Sequence, residues 1–164
     1  GIKGVAQADT GQFSFTHFHP ADFTGVLASI DSMPGVTAWR ARDSDWAYAG
    51  PNWRDARSTT HVAGIESVTI QHPEPEAAAA RWADLLGAPR RDGPRGPEVE
   101  LDQGRIRFVP PAEKVGAGAG PGIVGLDFIA PDPDGIRARA REHGIALDGD
   151  ALLIGGVRIA LHPA

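Results

Sequence analysis

The 164-residue chain contains no cysteine. Disulfides, thiolate nucleophiles, iron–sulfur clusters and Cys-type zinc sites are therefore excluded. Lysine is nearly absent too: Lys3 and Lys114 stand among 16 basic residues, so the basic charge is almost all arginine. Acidic residues number 21, and the net charge of −5 gives no general attraction to nucleic acid or to anionic membranes. Neither is expected as a partner. No apolar run approaches the roughly 20 residues of a membrane-spanning helix. The first residues hold no secretory h-region, and the expected location is cytoplasmic. What the chain has in plenty is punctuation, with 21 Gly and 14 Pro. Hydrophobic residues at 41% and charged residues at 23% are globular proportions, and the length suits one ordinary domain or two very small ones.

Residues 1–31 read as strands. Phe13, Phe15 and Thr16-His17-Phe18-His19 alternate until His19-Pro20 stops the run, and Gly25–Asp31 is a second short strand. Residues 32–61 form an irregular linker that holds Trp39, Trp46 and Trp53, whose rings should pack on something. Ile65–Ile70 is a strand. Pro73-Glu74-Pro75-Glu76 opens a helix whose face is Ala78, Trp82, Leu85 and Leu86, and Gly87 ends it. A hairpin follows, Glu98–Asp102 with Arg105–Val109, turning at Gln103-Gly104. Residues 111–121 are a flexible Ala/Gly loop. The pattern then recurs: a strand Ile123–Ile129, a helix opened by Asp132-Pro133-Asp134 and ended by Gly144, and a hairpin Ala151–Ile154 with Val157–Leu161. Arg105–Pro110 is echoed by Arg158–Pro163. This is an internal repeat of about 50 residues. The N-terminal strand pair ends as each repeat ends, like the tail of a further unit.

Three stretches carry a family resemblance. Ile65–Ile70 with Ala80–Gly87 is similar to the opening strand and helix of a module, Arg105–Pro110 to a module's last strand, and Phe18–Leu27 to a turn and final strand in epimerase-like proteins. The linker ending Ala49-Gly50-Pro51-Asn52-Trp53 is similar to one in larger bacterial glyoxalase-like proteins. The chain thus resembles the vicinal oxygen chelate superfamily, which includes glyoxalase I, methylmalonyl-CoA epimerase, extradiol dioxygenases and bleomycin-resistance proteins. The resemblance implies an α+β fold of paired βαβββ modules around a cavity. The expected parts are an incomplete module over 1–31, a Trp-rich linker over 32–61, compact modules over 62–111 and 121–164, and a Gly/Ala hinge over 112–120. The N-terminal strands should add to the sheet of the 62–164 pair or dock on a second copy of the chain, and a homodimer is the expected assembly.

The resemblance also implies where a metal would be held, by His or Gln on the first strand and Glu on the last strand of each module. Those positions carry Ser67, Arg107, Gly125 and Ala160, and Ser29 stands at the corresponding place in the N-terminal piece. None is a strong ligand, and Arg107 repels a cation. No metal is expected in the 62–164 pair; one could be held only with ligands from further modules.

Arg105 and Arg107 have two readings. They could bind a ligand carboxylate or phosphate, or pair across the hairpin with Asp102 and Glu100, contributing roughly 0.2–1 kcal/mol per pair. Acidic partners already in register favour the ladder. His17 and His19 share one side of a strand, a spacing compatible with metal binding or acid–base work. His17 is the catalytic candidate, and His19-Pro20 is more simply a turn. Trp46, with Trp39, Trp53 and Tyr48, could wall a flat ligand or merely clamp the linker to the sheet. The run Gly116–Gly120 leads into a strand and lacks a following Lys-Ser/Thr, so the phosphate-cradle reading is set aside.

Three functions stay open. One is a glyoxalase-like protein binding a small organic ligand in the cleft of a metal-free pair. Another is a metal-dependent lyase or isomerase whose active site lies in further modules. The third is a degenerate pair that only stabilises or dimerises the protein. The ligand-binding candidates are Arg105, Arg107, His17 and Trp46.

Overall fold

Proline and glycine set the element boundaries, and strands fill most of the intervals. The computed structural model describes residues 2–37, 44–111 and 120–164. Trp39 and nearly all of the 112–120 hinge lie outside the described residues. The chain divides into two units, one of residues 1–23 with 27–58 and one of residues 24–26 with 59–164.

The first unit is a three-stranded antiparallel sheet, β1 (Gly4–Asp9), β2 (Ser14–Phe18) and β3 (Ala28–Ser32), with β2 central. The sequence led us to expect a strand pair, and β1 adds a third member. Its residues Gly4-Val5-Ala6-Gln7-Ala8-Asp9 alternate poorly and are exposed throughout, so periodicity did not reveal it. A 3₁₀ turn, Pro20–Phe23, follows β2, and Phe23 is buried with its ring 5.4 Å from that of Phe18. The linker is partly structured, with a 3₁₀ turn at Ala47–Ala49 and one turn of helix, α1 (Trp53–Ala56). It clamps onto β2: Tyr48 lies 4.3 Å from Phe13, ring centre to ring centre, and its hydroxyl donates to the Ser14 carbonyl at 3.2 Å.

The second unit repeats one motif twice. The first copy is β4 (Gly64–Gln71), α2 (Pro75–Leu86), β5 (Arg90–Gly93), β6 (Gly96–Glu100) and β7 (Arg105–Val109). The second is β8 (Gly122–Ala130), α3 (Pro133–Glu142), β9 (Leu147–Asp148), β10 (Ala151–Ile154) and β11 (Val157–Pro163). This is the paired βαβββ architecture of an α+β fold. The strands form a single sheet in the order β5-β6-β7-β4-β8-β11-β10-β9. Each module's opening strand lies parallel to its own closing strand, and β4 and β8 join the modules antiparallel. The strands β1–β3 make a sheet of their own, so the expectation that they extend the sheet of the 62–164 pair is corrected.

Helix α2 covers β6 and β7. Its buried face is Ala78, Ala79 and Trp82, whereas Leu86, expected inside, is exposed. Trp82 packs on Phe108, which is fully buried with Ile70 and Val99. Burying one such side chain stabilises by about 1.5–3 kcal/mol. The Trp82 indole N–H donates to the Thr24 hydroxyl at 2.8 Å, satisfying the ring's polar atom. Gly87 adopts a left-handed conformation and closes the helix. In the second module Ala130, Ala140, Leu152 and Leu161 form the core beneath α3. Asp132 caps that helix by accepting from the Gly135 N–H.

The register of the β6–β7 hairpin corrects the expected one. Leu101 N–H donates to the Gly104 carbonyl, so the turn centres on Asp102-Gln103. Glu98 then faces Arg107, and Glu100 faces Arg105. Gly104 is an edge of the turn rather than its middle: its φ is +92°, and a Cβ there would come within 2.6 Å of the Glu66 carbonyl oxygen.

Candidate functional site

The site is built on the sheet face turned away from the helices. Alternation along paired strands places Ser67, Thr69 and Gln71 of β4, Arg105 and Arg107 of β7, Glu98 of β6, Gly125 and Asp127 of β8, and Arg158 of β11 on that side. Two irregularities between β4 and β8 add to it. One leaves Glu66 as an extra residue between Ile65 and Ser67, the other leaves Val124 between Ile123 and Gly125. A bulge breaks the period of two and re-aims a side chain. Glu66 thereby meets Arg105, and Val124 lines the cavity described below.

The core of the face is an ion-pair network. Arg107 is 4% exposed. Its Nε donates to Glu98 at 2.7 Å, and its Nη1 to Asp127 at 3.0 Å, Ser67 at 3.3 Å and Thr69 at 3.4 Å. Asp127 Oδ2 also accepts from Ser67 at 2.8 Å and from Arg95, in the β5–β6 turn, at 2.6 Å. Arg105 bridges Glu66 and Glu98. Burial alone pushes the Asp127 carboxyl up. Hydrogen bonds from Arg107, Ser67 and Arg95 outweigh that effect and hold it below the usual carboxylate range. His162 adds a ring whose buried Nε2 lies 3.8 Å from Glu66 and 3.7 Å from Asp127, with no hydrogen-bond partner among the described residues.

Beside this network lies a cavity of about 160 Å³. Both modules line it: Thr69, Gln71, Arg95, Val109 and Pro110 from the first, Val124, Gly125, Asp127 and Arg158 from the second. The Gln71 amide is anchored by donating to the Gly120 carbonyl at 2.7 Å.

The donor chemistry does not fit a metal. Ser67, Arg107, Gly125 and Ala160 do share the face, but a guanidinium occupies its centre and two arginines already hold Asp127. Among the described residues no three His, Asp or Glu side chains converge as a metal site. Arg105 and Arg107 belong to this face, with their donors directed to Glu66, Glu98 and Asp127. His17 and Trp46 belong to the first unit. His17 pairs with Ala6 and Ser29 in the sheet and packs its ring on Phe15 at 4.6 Å. His19 accepts from the Ala21 N–H and shapes a turn. Trp46 borders a separate open hollow of about 420 Å³ with Met33, Trp53 and Arg54.

Sequence reasoning missed Glu98, Arg95, Asp127 and Arg158. Asp127 had a signal, as the single charge inside the apolar strand Gly122–Ala130. A strand buried on both faces rarely carries a carboxylate without a partner. Arg95 had none, because a charged turn residue reads as solvated.

No family model matches the chain, and no curated protein matches it. Solved structures do. One is methylmalonyl-CoA epimerase from Mycobacterium tuberculosis, with 20% identity, 65% of this chain and 91% of that chain covered, and a TM-score of 0.47. Another is a hypothetical protein from Staphylococcus aureus, with 10% identity and a TM-score of 0.60; all of this chain is covered, and it spans 57% of that one. The second likeness is one of fold.

Proposed function

We propose that the βαβββ pair is a glyoxalase-like small-molecule binding unit that holds an organic ligand without a metal ion. The observation that carries the reading is the 160 Å³ cavity. Its walls come from both modules, and its lining mixes apolar surface with a few fixed polar groups, the usual make-up of a ligand site. The neighbouring arginine network supports the metal-free part: the Arg107 guanidinium, paired with Glu98 and Asp127, holds the carboxylates that a cation would need. Such a site orients a ligand by shape and hydrogen bonds. We also propose that the chain is a homodimer.

A small-fragment screen by amide NMR tests the binding reading. Binding fragments should shift the amides of Thr69, Gln71, Gly125, Asp127 and Arg158 together. A screen in which no fragment moves that group would overturn the reading. Elemental analysis tests the other half: about one tightly held zinc, iron or nickel per chain, lost on Arg107→Ala or Asp127→Ala, would sink the metal-free assignment.

A further inference from the structure

Two arginines and one acid line the cavity, and their uncommitted donors bear on what it takes. Asp127 is already matched, since its Oδ2 accepts from Arg95, Arg107 and Ser67. The lining guanidiniums are not used up. Each carries five N–H donors. Arg95 gives Nη2 to Asp127, and Arg158 gives Nε to Asp148 at 3.3 Å. Among the described residues neither makes a further side-chain hydrogen bond or ion pair. The Asp148 side chain is 62% exposed, so that pair is solvated and weak. The lining therefore carries two cations against one carboxylate that is itself satisfied.

We propose that the ligand is a small organic monocarboxylate, its carboxylate taken by Arg95 and Arg158 and its apolar body laid against Val109, Pro110 and Val124. The inference rests on the reading of the cavity as a ligand site. Planar guanidinium forks match a carboxylate's two oxygens. Size limits the rest of the molecule. The cavity of about 160 Å³ equals about five waters at ~30 Å³ each, and an apolar cavity near ~150 Å³ holds one benzene ring. A ring-sized acid fits. The Arg158–Asp148 pair is solvent-exposed, so a ligand carboxylate can compete with Asp148 for that guanidinium.

Calorimetric titration of the full chain at pH 7 and low salt, with benzoate and its neutral isostere benzamide, provides the test. Benzoate should bind about tenfold or more tightly than benzamide, as a charge-assisted hydrogen bond implies. Arg158→Gln should weaken benzoate far more than benzamide, bringing the two affinities close together. Arg158 has only an exposed partner, so the variant should fold, and its thermal melt checks this. Arg95→Gln should act in the same direction. Equal affinities for the two probes, or a benzoate affinity unmoved in Arg158→Gln, would overturn the carboxylate assignment and leave the cavity reading standing. If neither probe binds, the ring-sized monocarboxylate is overturned, and the cavity reading falls with it only if the fragment screen also leaves the amides of Thr69, Gly125 and Asp127 unmoved.

Discussion

Asp127 receives Ser67, Arg95 and Arg107 on one carboxylate oxygen. Its folded pKa is lowered relative to the unfolded chain, so folding favours the charged form. The stability it contributes is present in full above the unfolded value of about 3.9 and is lost as pH falls through the lower folded value. Asp127→Asn should cost about 3 kcal/mol at pH 7, since removing one partner leaves the buried Arg107 under-compensated. The same substitution should cost much less near pH 2. Urea denaturation of both proteins across that range measures the difference. A cost that does not shrink on acidification would mean that Asp127 acts through packing alone. The residue was legible as an anomaly in its strand, Ser67 and Arg107 were placed at one site only through the family resemblance, and Arg95 was not legible at all. Ser67 and Arg107 are remote from it in sequence, and only the junction of β4 with β8 brings them within reach.

At the level of elements, strand and helix order was readable because each module is bounded by strong signals: Pro75 and Pro133 at helix starts, Gly87 and Gly144 after helix ends. What escaped was whatever breaks a period or lacks one. Strand β5, Arg-Arg-Asp-Gly, is polar and owes its existence to pairing with β6. Glu66 sits on the functional face only because of a bulge. The hairpin register slipped because Gln103-Gly104 looks like a two-residue turn, although Gly104 is required beside the Glu66 backbone. The slip kept every charge on its proper face, since the pairing moved by an even step, but it named the wrong acid. The corrected register makes a distinct prediction. In a double-mutant cycle Glu98→Ala and Arg107→Ala should couple by about 1–3 kcal/mol, as contacting residues in one network do. The Glu100–Arg107 cycle should couple by less than about 0.5 kcal/mol, because Glu100 faces Arg105 and pairs with Arg91. Equal coupling in the two cycles would contradict the observed pairing.

For the whole molecule, the three-stranded sheet is the part whose stability is least explained within one chain. All six residues of β1 are exposed, as are Ile2, Val5 and Ile30. Strands β1 and β3 are its edges. Small sheets gain independent stability only from a buried hydrophobic face, and an open edge with apolar side chains pairs readily with another strand. A second copy of the chain offers the same edge, and pairing like with like closes the assembly at two. Light scattering across a dilution series should give twice the chain mass at high concentration and fall toward the monomer on dilution. Ile30→Lys or Val5→Lys should shift that transition to higher concentration by placing a charge on the edge, while the thermal melt of the βαβββ pair stays unchanged. A chain that is monomeric at every concentration, with residues 2–32 cut readily by protease, would remove the dimer. It would also show that the sheet does not persist by itself.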